Sequence, residues 1–366
     1  MMNPPTPEPL KVGFVLLSNS RKPIPSTRIA SLNMFPFLRA AHFEPHIVFE
    51  PEHGNERPDV SGLAPRIVAE GFKIVVFQKV HGPTVEALAR KLSEAGVRTV
   101  FCVCDVIDVP MAQATDATVV VTEFLKSLYP AALQAKIHVV HDGIEHPDMH
   151  RLAASTRTGS LARPLRAVLV TSAQLDRLPQ IISPPSWLSV TVVGRYASTP
   201  VQRLREARWT LLEGRGKSER LDRLAFMAHW RIRCAAWDAA RVYKHMLDAD
   251  VGIIPVDAVL PDVQGAAAPS WMVKSENRLS MKMCLGLPVV ATPIPSYLPL
   301  VSQGSNGFLA GTRKQWMEYL NALRDPALRQ RVGANARQSV LQRYSMQEQA
   351  RLLIAVFESL RGGDYA

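Results

Sequence analysis

Lys274, Ser275, Asn277 and Arg278 open the stretch KSENRLSMKMCLGLPVVA, in which a short apolar pattern runs to a glycine and then into a strand. Two cations, a hydroxyl and an amide at a helix start describe an anion site. The first N–H groups of a helix lack intrahelical partners, and its dipole presents positive charge at the same end. Ser275 is the expected N-cap, Leu279 and Met283 fall one turn apart on an inward face, and Gly286 is placed to end the helix, so a helix is expected over 275–285. The ligand that suits such a start is a diphosphate. A capped helix with solvated charges is the plain alternative.

Other chemistry-bearing residues follow short apolar runs. SNSRKPIPSTRIAS comes after VGFVLL and sets Ser26, Thr27 and Arg28 at a helix start, a candidate phosphate or acceptor loop. QKVHG comes after IVVF and adds Lys79 to that loop set and His81 as a candidate catalytic group. FCVCDVIDVP places Asp105 and Asp108 after the next run, with Asp105 a candidate acceptor contact or general base and loop capping its alternative. Arg195 follows SVTVVG at a strand end where a diphosphate would pass. The four cysteines, Cys102, Cys104, Cys234 and Cys284, form no CxxC pair, no His or Cys cluster has zinc spacing, and no metal is expected. EGRGKSE invites a P-loop reading, but Leu211 stands where that motif needs glycine and the surroundings are charged and helical.

These residues need a scaffold that presents strand ends. VGFVLL, HIVFE, IVVF, TVFCVC, ATVVV and HVVHDGI alternate with helical patterns over the first 150 residues. A polar stretch follows, and the alternation restarts with AVLVT, SVTVVG, VGIIPV and LPVVAT, separated by an arginine-rich section at 203–233 that reads as helical. The expectation is an α/β chain of two Rossmann-like domains facing a cleft, with ligands at the carboxyl ends of parallel strands. The boundaries are 1–150 for the first domain, 151–165 for a linker, 166–344 for the second domain and 345–366 for a last helix docked on other elements. In that helix Leu353, Val356, Phe357 and Leu360 share one face, and Ser345 and Glu348 have capping-box spacing.

The chain has 366 residues and a formal net charge of +11, which suits an anionic ligand or an anionic membrane surface. No nucleic-acid motif accompanies the charge, so no nucleic-acid partner is expected. The apolar run near the N-terminus is too short for a secretory signal, no run reaches the length of a membrane span, and a cytoplasmic protein with peripheral contact to the membrane face is expected.

PVVATPIPSYLPLVSQGSNGFLA, HVVHDGIE, SVTVVGRY and WDAARVYKHMLDADVGIIPV together resemble the GT-B glycosyltransferases of the family-4 type. The resemblance covers Val12 to Leu360. It implies a metal-independent, retaining transfer of a sugar from a nucleotide-diphosphate donor, with no cofactor, to a hydroxyl on a glycan or lipid-linked acceptor in polysaccharide or glycoconjugate synthesis. It makes 1–150 the acceptor-side domain and 166–344 the nucleotide-sugar domain, with the last helix, 345–366, packing back on the first. Together with the residue reading above, donor binding is expected at Arg195, Lys274, Ser275, Asn277 and Arg278, and catalysis at His81, Asp105 and Lys274. The family's E-x7-E carboxylates fall at Val273 and Met281 here, and Asp142 stands where Asn is usual. A GT-B binding module without activity and a non-hydrolysing sugar-nucleotide epimerase are the alternatives.

Overall fold

The computed structural model describes residues 8–151, 153–173, 175, 177–178, 180–181, 183–197, 199–212, 216–256 and 268–361. They fall into two compact units. The first holds residues 8–145, 268–275 and 344–361, and the second holds 146–256 and 276–343.

The first unit is a parallel sheet of β1 (Leu10–Leu16), β2 (Phe43–Phe49), β3 (Ile74–Gln78), β4 (Arg98–Val103), β5 (Ala117–Val120) and β6 (Ile137–Val139) in the order β2-β1-β3-β4-β5-β6. The central strands β1, β3, β4 and β5 read as continuous apolar runs because both faces are covered. In β1, Val12, Phe14 and Leu16 enter one core cluster while Val15 enters the other. The strand order reverses between β1 and β3, so the loops after those two strands diverge and open a crevice at the carboxyl edge.

The second unit is a parallel sheet of β7 (Leu165–Val170), β8 (Leu188–Gly194), β9 (Ile232–Ala236), β10 (Val251–Ile254), β11 (Val289–Ala291) and β12 (Phe308–Leu309) in the order β12-β11-β10-β7-β8-β9. This is the doubly wound order of dinucleotide-binding folds, with its switch point between β7 and β10. Alternation again assigns faces, with Ala167 and Leu169 in one cluster and Val168 and Val170 in the other. β9 and β12 were not legible as strands in the sequence.

The last helix, Met346–Arg361, belongs to the first unit. Leu353, Val356 and Phe357 are buried in its core, and the Phe357 ring meets Phe43 edge-on at 5.6 Å. Ser345 Oγ accepts from the Glu348 N–H at 3.1 Å, so Ser345→Ala should cost about 1 kcal/mol of stability, read as a lower denaturation midpoint with unchanged slope.

Two segments depart from the sequence boundaries. Residues 268–275 lie within 166–344 but are part of the first unit, because Val273 and Ala268 pack into its core. Within the polar stretch at 151–165, residues 153–164 are coil but not a loose tether, and Leu165 already begins β7. Arg329 donates to the carbonyls of Ser155 and Arg157, both at 2.6 Å, and Arg324 donates to those of Thr158 and Gly159. Among the described residues no helix is long and apolar enough to cross a membrane.

Candidate functional site

The carboxyl edge of the first sheet gathers most of the candidates. Lys79 immediately follows β3 with φ of 56°, a left-handed conformation that a β-carbon makes costly. It is held there by its N–H, which donates to Cys102 O at 2.8 Å, and by its ammonium, which meets Asp105 at 2.9 Å and Glu56 at 3.1 Å. Burial works against the charge on Lys79, but its anionic neighbours outweigh it and raise the pKa above its ordinary value. The second oxygen of Asp105 takes Lys274 Nζ at 3.2 Å. Burial raises the Asp105 pKa, yet the charges of Lys79 and Lys274 overcome it and hold the carboxyl below its usual range. A carboxylate clamped between two ammonium groups is a weak base and a strong anchor. Cys104 Sγ donates to Asp105 at 3.4 Å, and burial followed by the Asp105 charge raises its thiol pKa, so it is not a thiolate nucleophile.

His81 lies two residues beyond Lys79. Its Nδ1 meets Asp108 Oδ2 at 2.8 Å, while Asp108 Oδ1 accepts from the Met111 N–H and caps the helix Val109–Ala114. Burial pushes the Asp108 carboxyl up, but the His81 and Met111 hydrogen bonds prevail and lower it. A ring nitrogen fixed by a carboxylate leaves the other ring nitrogen, Nε2, as the one able to exchange a proton with a substrate. Nε2 lies 4.0 Å from Glu56, so Glu56 touches both Lys79 and His81. Sequence reasoning missed Glu56, although it lies in the loop at the carboxyl end of β2, where a functional residue is expected.

The loop after β1 behaves differently from the expectation. Thr27 is fully buried, and its hydroxyl donates to Gln78 Oε1 at 2.8 Å and accepts from Ser18 at 2.9 Å. Arg28 makes a forked pair with Glu145 at 2.6 and 2.9 Å, and Asn33 donates to the same carboxylate. Both residues therefore tie the loop to its own unit instead of standing ready for phosphate. Their helix, Pro25–Ala30, is six residues long. Ser26 lines a small pocket with Met34, Gln78, Cys104, His141 and Asp142.

The expected helix at 275–285 begins later, at Asn277, and ends at Cys284. Ser275 is not its cap. The Ser275 hydroxyl donates to Asp142 Oδ2 at 2.6 Å within the first unit, and Glu276 takes the N-cap position without a side-chain cap bond. Leu279 and Met283 are fully buried as expected, and Gly286, at φ 74°, supplies the left-handed residue that ends the helix. Asn277 and Arg278 occupy the first turn and are partly exposed. Burial raises the phenol pKa of Tyr297, the nearby Arg278 opposes that, and Glu276 adds to it, so these three form one charge cluster. Arg195 follows β8 with an exposed side chain. Lys274 and Ser275 thus belong to the first unit, while Arg195, Asn277 and Arg278 belong to the second. Among the described residues no group of three His, Cys, Asp or Glu gathers as a metal site.

Solved structures match this chain almost end to end. Anabaena Alr3699/HepE in complex with UDP and glucose superposes with a TM-score of 0.64 at 14% identity, covering 96% of this chain and all of that one. A glycosyltransferase from Rickettsia africae gives 0.65 at 12% identity, covering 96% and 98%. Sucrose-phosphate synthase from Thermosynechococcus elongatus gives 0.65 at 11% identity, covering 97% and 100%. The chain has the GT-B fold. No family model and no curated protein sequence matches it. Within this GT-B chain the two positions of the family carboxylate pair are apolar in surroundings as well as in identity. Val273 is buried in the first unit's core, and Met281 packs on a core cluster of the second.

Proposed function

We propose that this GT-B chain is a glycosyltransferase that moves a sugar from a nucleotide-diphosphate donor to a hydroxyl on a glycan or lipid-linked acceptor, in polysaccharide or glycoconjugate synthesis at the cytoplasmic side. The observation that carries the reading is the full-length match to glycosyltransferase structures, among them HepE, whose structures hold UDP, UDP-glucose, or UDP and glucose. Arg195, Lys274, Ser275, Asn277 and Arg278 are the donor-binding residues of this reading. Cleaving the donor leaves negative charge on the departing diphosphate. Fixed cations stabilise that charge without a metal, and this is the main catalytic contribution. A chelator therefore leaves the rate unchanged.

Retention of anomeric configuration follows from the family resemblance. One observation favours inversion instead: the His81–Asp108 pair at 2.8 Å is a built base, and a base that deprotonates the acceptor hydroxyl drives a single displacement. NMR of the freshly formed product's anomeric proton decides between them.

Thermal-shift titration with nucleoside mono- and diphosphates and their sugars tests the whole reading. A nucleoside diphosphate at a hundredfold excess over its Kd should stabilise the chain by about 2.7 kcal/mol, with monophosphates weaker. Binding with no sugar release in the presence of varied acceptors would move the chain to the class of binding modules. No nucleotide response at all would remove the transferase reading.

A further inference from the structure

The helices Pro200–Leu212 and Lys217–Ala228 cross between β8 and β9 in the second unit, and they carry apolar side chains on the wrong side for a core. The first packs on the second, and the second packs on β9. Of their described side chains only Phe226 is buried among the core residues. Val201, Leu204, Trp209, Leu212 and Leu221, and Trp230 just past the second helix, are instead 64–75% exposed. Val201, Leu204, Arg205, Arg208 and Leu212 recur at three- and four-residue intervals, so they share one helical face, with Trp209 at its margin. Arg203, Arg205, Arg208 and Lys217 are exposed too. Residues 200–233 hold nine basic against four acidic side chains, a large share of the chain's excess in a small part of its length. Trp230 lies against the Arg231 guanidinium at 3.7 Å on one side and is 73% exposed.

We infer that this face of the second unit docks on an anionic phospholipid bilayer. Basic side chains outnumber acidic ones over residues 200–233, and exposed leucines and tryptophans lie among them, the pairing of cationic and apolar groups by which an amphipathic helix binds an anionic lipid surface. A bilayer surface suits that mixture. Leu204, Leu212 and Val201 enter the acyl boundary, Trp209 and Trp230 lie at headgroup level, and Arg205 and Arg208 meet lipid phosphates. The inference is independent of the transferase reading, since it uses none of the donor or acceptor residues.

Flotation of the full chain with vesicles tests it. Phosphatidylcholine vesicles containing about 30% phosphatidylglycerol should carry the protein, and pure phosphatidylcholine should carry at least tenfold less, because each juxtamembrane cation adds to the attraction. Salt should weaken binding without abolishing it, since the apolar contacts persist. Arg205→Glu with Arg208→Glu should lower the partition coefficient at least tenfold, and Leu204→Ser with Trp209→Ser should do the same. All four side chains are exposed, so melting temperatures should stay within a few degrees of wild type and nucleotide binding should be unchanged. Partition that is equal on neutral and anionic vesicles, or unaffected by both double variants, would overturn the inference. So would lipid-free self-association that the same substitutions abolish, which would make a second copy the occupant.

Discussion

Lys282→Met should raise the melting temperature strongly at neutral pH, with the difference from wild type shrinking as the pH approaches 10.5, the ordinary lysine value. Lys282 is fully buried in the helix that begins at Asn277, with its stem laid on β10 so closely that a β-carbon on Gly252 would stand 2.8 Å from its Cδ. Its Nζ donates to the Arg278 carbonyl at 3.0 Å. Burial, with the Arg278 charge adding to it, pulls its pKa down to about 7. The unfolded chain binds a proton at this lysine up to about pH 10.5, and the folded chain only up to about 7. Stability is therefore unaffected above the higher value, falls as the pH drops between the two, and stays at its lowered level below the smaller one. At about 1.4 kcal/mol per pH unit the full cost is on the order of 5 kcal/mol. Methionine keeps most of the stem and drops the amine, which should lift the midpoint by on the order of 10 °C at pH 6–7 for a unit of this size. Thermal denaturation at a series of pH values checks both the size and the shape of the effect. Parallel curves for variant and wild type would mean that the ammonium finds water or an anion in the folded protein.

That buried amine lies one turn after Arg278, and it adds positive charge to the helix start only as the pH falls below about 7. Glu276, 1% exposed at the N-cap, already places negative charge at the same end. The net field there is the balance of these groups with the helix dipole.

The architecture was legible because its signals are local. β1, β3, β4 and β5 are buried on both faces, so each reads as an apolar run whatever surrounds it. β9 and β12 were not, for the opposite reason. IRCAA has arginine in its second position and lies on the edge of its sheet, where half its surface needs no apolar side chain, and β12 is only Phe308–Leu309. The site was less legible because its side chains are claimed from far along the chain. Ser275 looks like a cap until Asp142, 133 residues earlier, takes its hydroxyl. Thr27 looks like a phosphate ligand until Gln78, 51 residues later, accepts from it. Lys282, four residues after Arg278 on a short helix, reads as one more solvated cation, and only the packing of that helix on β10 reveals that it is buried. Lys79, His81, Asp105 and Asp108 could be placed at one edge from sequence, because a loop that follows a parallel strand has nowhere else to be.

Lys274→Ala and Asp105→Asn should move nucleotide affinity in opposite directions. Lys274 is 40% exposed and bonded at 3.2 Å to Asp105, which stays ionised at any practical assay pH because two ammonium groups hold its pKa down. A diphosphate that recruits Lys274 must therefore displace a carboxylate from it. Deleting the ammonium removes a charge-assisted hydrogen bond worth about 1.5–3 kcal/mol, so the Kd for the nucleoside diphosphate giving the largest thermal shift should rise roughly 10- to 150-fold. Asp105→Asn keeps the shape and removes the competitor. A partly exposed ion pair is worth up to about 1 kcal/mol, so the same Kd should fall about two- to fivefold. Lys79 keeps Glu56 at 3.1 Å in that variant, and the loop after β3 is not left without its anchor. Calorimetric titration of the two variants and the double variant separates the terms, because the benefit of Asp105→Asn should vanish when Lys274 is absent. Weaker binding in both single variants would mean that Asp105 shapes the loop instead of competing for Lys274. Unchanged affinity in a folded Lys274→Ala would remove that lysine from the donor site, leaving its pair with Asp105 as an anchor for residues 268–275.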